Sequence, residues 1–260
     1  MTPFYIKIAD HKFKIIQASN EFLPFLSERF SFAIGQGNSH DLNLRINHGY
    51  GEPFEDYDVK IIKKENHIVY LRKDYFIEVD SSFRNATISA HDDLALKHAL
   101  MNLYSSFILH HNWGLLLHSS CVIDGHKAHI FAGHSGAGKS TAARLSAPRE
   151  LLSDEATLIK ITDRSILIYD SPFRSELETV GHKENAPLSS IQLLYQADFN
   201  ERTQVKQSDA FMKLMDKVFY WTYKEDEVVK VLDFLKKIVR DVPVYDLHFQ
   251  KNNTFWELIS

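Results

Sequence analysis

The chain has 260 residues, 44% hydrophobic and 25% charged, with a formal net charge of −4. That is the composition of one large globular domain or two small ones, and its weak negative charge supplies no field for a polyanion, so no nucleic-acid partner is expected. The only cysteine, Cys121, excludes an internal disulfide and a multi-cysteine zinc site.

No window approaches the ~18 consecutive apolar residues of a membrane span, and no membrane partner is expected. The start, "MTPFYIKIADHKFK", lacks an apolar core of signal-peptide length, which places the expected location in the cytoplasm.

Residues 1–90 read as strands and turns. "FYIKIAD" and "KFKIIQ" alternate around Asp10-His11, and "DYDVKIIKKENHIVYLRKDYFIEVD" reads as strands joined at Glu65-Asn66 and Lys73-Asp74. Alternation of this kind belongs to an antiparallel sheet with one wet face. A mostly β N-terminal lobe over 1–90 is expected, with a scaffold or a dimer surface as its plainest role.

From Asp92 the period changes. "DDLALKHALMNLYSSFILHH" carries Leu94, Leu96, Leu100, Leu103, Phe107 and Ile108 at roughly helical spacing, with Asp92 or Asp93 as N-cap. "WGLLLHSSCVID" reads as a buried strand, Asp124-Gly125 as a tight turn and "KAHIFAG" as the returning strand. A second hairpin, "ATLIKI" and "SILIYD", turns at Thr162-Asp163, and "IQLLYQ" is a further strand. "SDAFMKLMDKVFYWTY", capped by Ser208, and "EDEVVKVLDFLKKIVRD" read as helices, followed by "VPVYDLHF" and a terminal "TFWELI". Within this, the aromatic run from Phe219 to Tyr223 reads as core packing or as the lining of a substrate groove. These elements define an α/β domain over 91–260 with a mixed sheet, hairpins and flanking helices.

Between the strand "HIFA" and the helix formers "TAARLS" lies Gly133-His134-Ser135-Gly136-Ala137-Gly138-Lys139-Ser140, followed by Thr141. This is G-x-x-x-x-G-K-[ST] in its strand–loop–helix context. Glycines let the backbone turn so that successive N–H groups converge on phosphate oxygens, and the helix start adds partial positive charge. On this reading Gly133–Thr141 hold a nucleotide, Lys139 reaches the β and γ phosphates, and Ser140 binds Mg²⁺.

Phosphoryl transfer also needs carboxylates. Asp154 and Glu155, in "ELLSDEATLI", are the nearest candidates and read equally well as a solvated turn. His118 lies in an apolar strand, where it is either a satisfied core histidine or a partner that tunes a catalytic carboxylate. Arg174, in "DSPFRSE", is either a surface residue or a group stabilising transferring charge. The fourteen histidines show no zinc-protease spacing.

"LLLHSSCVIDGHKAHIFAG", "GHSGAGKST" and "LLSDEATLI" follow one another in an order that resembles the HPr kinase/phosphorylase family, whose P-loop kinase core is related to phosphoenolpyruvate carboxykinase. The resemblance covers roughly residues 110 to 175. "SPFRSE", "APLSSIQLLYQ" and "VPVYDLHFQKNNTFWELI" look like the HPr-kinase-like proteins found beside ribosomal-peptide (lasso peptide) tailoring genes, some of which phosphorylate a precursor-peptide serine.

The resemblance implies Asp154 as general base toward a serine hydroxyl, Glu155 at the second, metal-binding carboxylate, and His118 beside the base. It implies an ATP- and Mg²⁺-dependent serine kinase acting on a peptide or small protein, and a homo-oligomer. Residues 1–90 do not resemble the family's regulatory domain, and its glycine-rich signature after the acidic pair is not evident. Neither HPr as substrate nor reverse phosphorolysis is therefore expected. A small-molecule kinase and a nucleotide-binding regulatory module without catalysis are the alternatives.

Overall fold

The computed structural model describes residues 3–33, 39–175, 177, 183–221 and 224–260. The chain forms two compact units, Met1–His111 with Tyr220–Glu225, and Asn112–Phe219 with Asp226–Ser260.

In the first unit the described residues form β1 (Phe4–Ile8), β2 (His11–Ala18), α1 (Leu23–Arg29), β3 (Ser31–Ala33), β4 (Leu42–His48), β5 (Lys60–Lys63), β6 (His67–Leu71), β7 (Tyr75–Asp80), β8 (Asn85–Ala90) and α2 (Asp93–His110). The strands make one sheet in the order β3-β1-β2-β4-β8-β7-β6-β5. Hairpins β1–β2, β5–β6 and β6–β7 are antiparallel as their alternation requires, whereas β4 is parallel to both β2 and β8. Helix α1 interrupts a stretch that reads as strands and turns, with Pro24 in its first turn, where a missing N–H costs nothing.

Period-2 burial in β7 puts Tyr75, Ile77 and Val79 on one face. Helix α2 packs against β7 and β8. Asp92 caps it, accepting the Ala95 N–H at 2.9 Å. Leu96, Leu100, Leu103 and Phe107 are buried, each worth ~1.5–3 kcal/mol against exposure. This burial makes α2, which the sequence places with the domain starting at 91, part of the first unit.

The second unit contains β9 (Gly114–Asp124), β10 (Lys127–Ala132), α3 (Lys139–Leu145), β11 (Glu150–Ser153), β12 (Ala156–Ile161), β13 (Ile166–Tyr169), β14 (Asn185–Gln196), β15 (Glu201–Gln204), α4 (Gln207–Met215), β16 (Val218–Phe219), α5 (Glu225–Asp241, nearly all in this unit) and β17 (Val244–Phe249). The path β10-β9-β12-β13-β14 closes, because β14 also pairs in parallel with β10. β17 then adds in parallel to β14, and β15 pairs antiparallel with β17. The result is a mixed α/β fold with mixed sheets. Ala142 and Ala143 of α3 sit in a core with Val122, Phe131, Leu194 and Phe249.

Three local expectations change. The helix expected over residues 208–223 ends at Met215, and the chain turns into β16, which pairs Val218 with Leu117 and Phe219 with Leu116. A β-branched and an aromatic residue gain more from a strand partner and burial than from a further helical turn. Lys206 rather than Ser208 stands at the N-cap, and no side chain caps the helix. The terminal "TFWELI" forms 3-10 turns over Asn253–Leu258. Of the aromatic run, Thr222 and Tyr223 lie outside the described residues. Among the described residues no helix is long and apolar enough to cross a membrane.

Candidate functional site

The site is organised by three consecutive residues of β9, where the strand changes neighbours on both sides. Its first half is flanked by β12, with Ala156 opposite His118, and by β16. Its second half is flanked by β10, with Ala132 opposite Ser119, and by β11, with Ser153 opposite Cys121. At the changeover the flanking chain leaves the sheet at Gly133, at Asp154-Glu155 and at Lys217.

Each departure is tied to β9. The His118 N–H donates to the Lys217 carbonyl at 2.7 Å, the Ser119 N–H to the Glu155 carbonyl at 3.1 Å, and the Ser120 hydroxyl to the Lys139 carbonyl at 3.0 Å. Parting strands near the carboxyl end of a parallel strand such as β10 are where α/β sheets place ligands.

The loop from Gly133 to Gly138 is a tight turn. Gly136 and Gly138 have φ of +79° and +103°, conformations that side-chain-bearing residues avoid. The Ala137 N–H donates to the His134 carbonyl at 3.1 Å, and Gln196 Nε2 from the end of β14 donates to the Gly136 carbonyl at 2.7 Å. His134, Ser135 and Gly136 are exposed, and Ala137 is buried.

Lys139 is only 8% exposed. Its amine donates to the Gly133 and His134 carbonyls, each at 3.2 Å. An ammonium has three donors, so one is left for a ligand oxygen. Ser140 and Thr141 follow in the first turn of α3, both half-buried.

Asp154 is 2% exposed. Its Oδ1 accepts the Ser175 N–H at 3.0 Å, and its Oδ2 accepts the Ser175 hydroxyl at 3.0 Å and the Leu177 N–H at 2.9 Å. It is not a solvated turn residue: the carboxylate fastens the segment after Arg174. Asp154→Asn would set an NH₂ group against these donors, and leaving buried donors unpaired costs about 1–3 kcal/mol. The urea midpoint of Asp154→Asn should fall accordingly; an unchanged midpoint would show that the three bonds carry no stability.

Glu155, half-buried, enters β12 with its carbonyl on Ser119. The hydroxyl of Ser140 and the carboxylate of Glu155 are hard oxygen donors of the kind Mg²⁺ takes alongside waters and phosphate oxygens; by donor type they fit that ion.

Arg174 is not a loose surface residue. It donates to the Leu151 carbonyl at 3.1 Å, the Ser171 carbonyl at 3.2 Å and Asp170 Oδ1 at 2.5 Å. These bonds commit its guanidinium to the turn beside β11.

Alternation along β9 places His118 on the face of Ser120 and Val122, the face that α3 covers. Its ring stacks on Phe219 at 5.3 Å with an interplanar angle of 19°. Burial, then the charges of Lys139 and Lys217, push its pKa down to about 4, so the ring is neutral near pH 7. Lys139 is also pushed down, by burial first and then by the charge of Lys217.

Lys217 is thus part of the constellation although no motif marks it. The signal available in the sequence was the run "KVFYW", richer in strand formers than the "AFMKLM" before it.

Fold and site together define a mixed α/β protein in which a glycine-rich strand–loop–helix unit carrying Lys139 is joined through β9 to a neutral histidine and to Lys217. The chain belongs to the SynChlorMet cassette protein ScmC family, whose model matches residues 84–260. It is also similar to the Hpr(Ser) kinase/phosphatase from Coxiella burnetii, at 10% identity and a TM-score of 0.32, over 55% of this chain and 90% of that one. No curated protein matches the sequence.

Proposed function

We propose that the chain binds ATP at Gly133–Thr141 and transfers the terminal phosphoryl group to a serine hydroxyl of a peptide or small protein. In this it would act like the HPr-kinase-like peptide serine kinases of ribosomal-peptide (lasso peptide) tailoring clusters. The observation that supports this reading is the changeover on β9, which ties the glycine loop with Lys139, the Asp154-Glu155 corner and His118 to three consecutive residues.

In the proposed reaction the serine oxygen forms a bond to the γ-phosphorus, the bond from that phosphorus to the β,γ-bridging oxygen breaks, and ADP leaves. Lys139 holds the phosphates with its remaining donor. Asp154, whose carboxylate is oriented by the donors of Ser175 and Leu177, takes the serine proton. His118, a neutral ring one residue before the Ser119 that holds the Glu155 carbonyl, would stand beside the Asp154 carboxylate. Arg174 positions the segment that Asp154 fastens. Ser140 and Glu155 would hold Mg²⁺, which when bound neutralises phosphate charge. Catalysis on this scheme is positioning and electrostatics, as phosphoryl transfer requires.

Incubation with labelled ATP, Mg²⁺ and serine-containing peptides should label the peptide, and Glu155→Gln should lower the rate about 10²-fold, the loss typical of one removed electrostatic group. Because Asp154 also fastens Ser175 and Leu177, Glu155→Gln is a cleaner probe of chemistry than Asp154→Asn. Equal labelling by both proteins would remove the metal assignment. Absence of ATP affinity in calorimetry with Mg²⁺ present would end the reading altogether.

A further inference from the structure

Lys217 has a placement that structural duty alone does not explain. It sits in the turn between α4 and β16, where its carbonyl is pinned to the His118 N–H at 2.7 Å. Its side chain is only 13% exposed, yet the carboxylate it pairs with, Asp216, is its own neighbour in sequence and 68% exposed. An ion pair with so solvated a partner contributes little and does not account for the shelter of the side chain.

On the inside stands the other lysine. Lys139 is anchored through its carbonyl to Ser120, and Lys217 to His118, two residues earlier on the same strand and on the same face, about 7 Å along it. Where β10 ends at Ala132, opposite Ser119, β16 takes over its side of β9. Lys217 therefore stands at the position that β10 vacates when it turns into the glycine loop.

Two sheltered lysines are thus anchored to neighbouring residues of β9 where the glycine loop leaves the sheet. Like charges held together in this way are relieved by an anion carrying more than one negative charge.

We propose that Lys217 is a second phosphate-binding residue, which brackets the terminal phosphate of the nucleotide against Lys139 and makes the site select a triphosphate over a diphosphate. The proposal rests on the nucleotide reading above and adds to it the residue that reads the third phosphate. The glycine loop and Lys139 hold the phosphates common to ATP and ADP. Lys217, in front of the loop mouth, reaches the one that only ATP has. The neutral His118 ring, stacked on Phe219, forms the wall beside it.

The test is calorimetric titration of the full chain at fixed salt and Mg²⁺ with ADP and with a non-hydrolysable ATP analogue. Wild type should favour the triphosphate. Lys217→Ala should weaken triphosphate binding about 10–100-fold, the worth of one hydrogen bond to a charged group, and diphosphate binding less than about 3-fold, while Lys217→Arg should keep most of the preference. Far-UV circular dichroism and the melting temperature of Lys217→Ala without nucleotide should match wild type, since the ion pair it loses is with a solvated partner.

Equal weakening for both nucleotides, or none for either, would overturn the role of Lys217 while leaving the nucleotide reading intact. Wild type binding neither nucleotide would overturn the nucleotide reading, and the Lys217 proposal with it.

Discussion

Gly138→Ala should destabilise the second unit by about 2–5 kcal/mol and weaken nucleotide binding at least tenfold. Two costs add at this position. The backbone sits at φ +103°, which a residue with a Cβ adopts only at a penalty of about 1–2 kcal/mol. A Cβ placed there would also lie 2.8 Å from Phe249 Cζ. Phe249 cannot move aside cheaply: it is 1% exposed, and Phe255 packs against its ring edge at 5.7 Å. Overpacking of this kind costs about 1–3 kcal/mol.

Gly125→Ala is the matched control. Gly125 also has a positive φ, +61°, but a Cβ there meets nothing within 4 Å, so only the backbone cost of about 1 kcal/mol should appear. Urea unfolding of the two variants isolates the contact with Phe249 as the difference between them. Equal midpoints would show that Phe249 does not fill the space behind Gly138. Relief of the clash by Phe249→Leu in the Gly138→Ala background would confirm it.

Acid should destabilise the protein well before its carboxylates titrate. Burial, followed by the charge of Arg72, holds His98 down to about 4, and burial first of all holds His129 there too. Both rings are accommodated as neutral acceptors or donors: His98 Nδ1 lies 2.9 Å from Arg72 Nη2, which can only donate, and His129 Nδ1 lies 2.8 Å from the Ser190 hydroxyl.

In the unfolded chain a histidine titrates near 6.5. Between pH 6.5 and about 4 the unfolded chain therefore binds protons that the native one refuses. Stability is whole above pH 6.5 and declines as pH falls through that window. The loss is at most roughly 3 kcal/mol for each of His98 and His129, with a smaller share from the half-buried His118. Asp80 is held down to about 2, its burial outweighed by hydrogen bonds from Ser82, Arg84 and Asn85, and it withdraws its contribution only below about pH 4.

Melting temperatures at pH 7.0 and 4.5 should thus differ by many degrees, and His129→Gln should shrink the difference for the second unit. Equal melting temperatures at the two pH values would show that these rings are not held neutral.

The sequence was most legible where the cause of structure is local. Alternation at Tyr75, Ile77 and Val79 announces a half-buried strand, and Asp92 before an apolar period announces a helix start that the Ala95 N–H bond realises. Gly136 and Gly138 announce a turn that only glycine makes easily, and both have positive φ. Each signal is carried by a few adjacent residues, so spacing alone conveys it.

Legibility fell where a distant partner decides. "MKLMDKVFYW" has enough apolar residues for one continuous helix, and the break after Met215 exists because β9 offers Val218 and Phe219 a strand edge. With that break unseen, Lys217 reads as one more exposed helix lysine. Asp154 reads equally as a solvated turn until the Ser175 and Leu177 donors are found on it. Arg174 reads equally as a loose surface residue until Asp170 and the Leu151 carbonyl are seen to hold it.

By itself, then, the sequence determined most of the elements, the tight glycine turn after β10 and the lysine that closes it, because backbone conformation and short-range patterning obey the residues in place. Only the tertiary structure decided which groups share the crevice with that turn. A side chain's charge acts on whatever folding brings near it, and pairing across β9 brings together Lys217, Glu155 and Lys139 from stretches far apart along the chain.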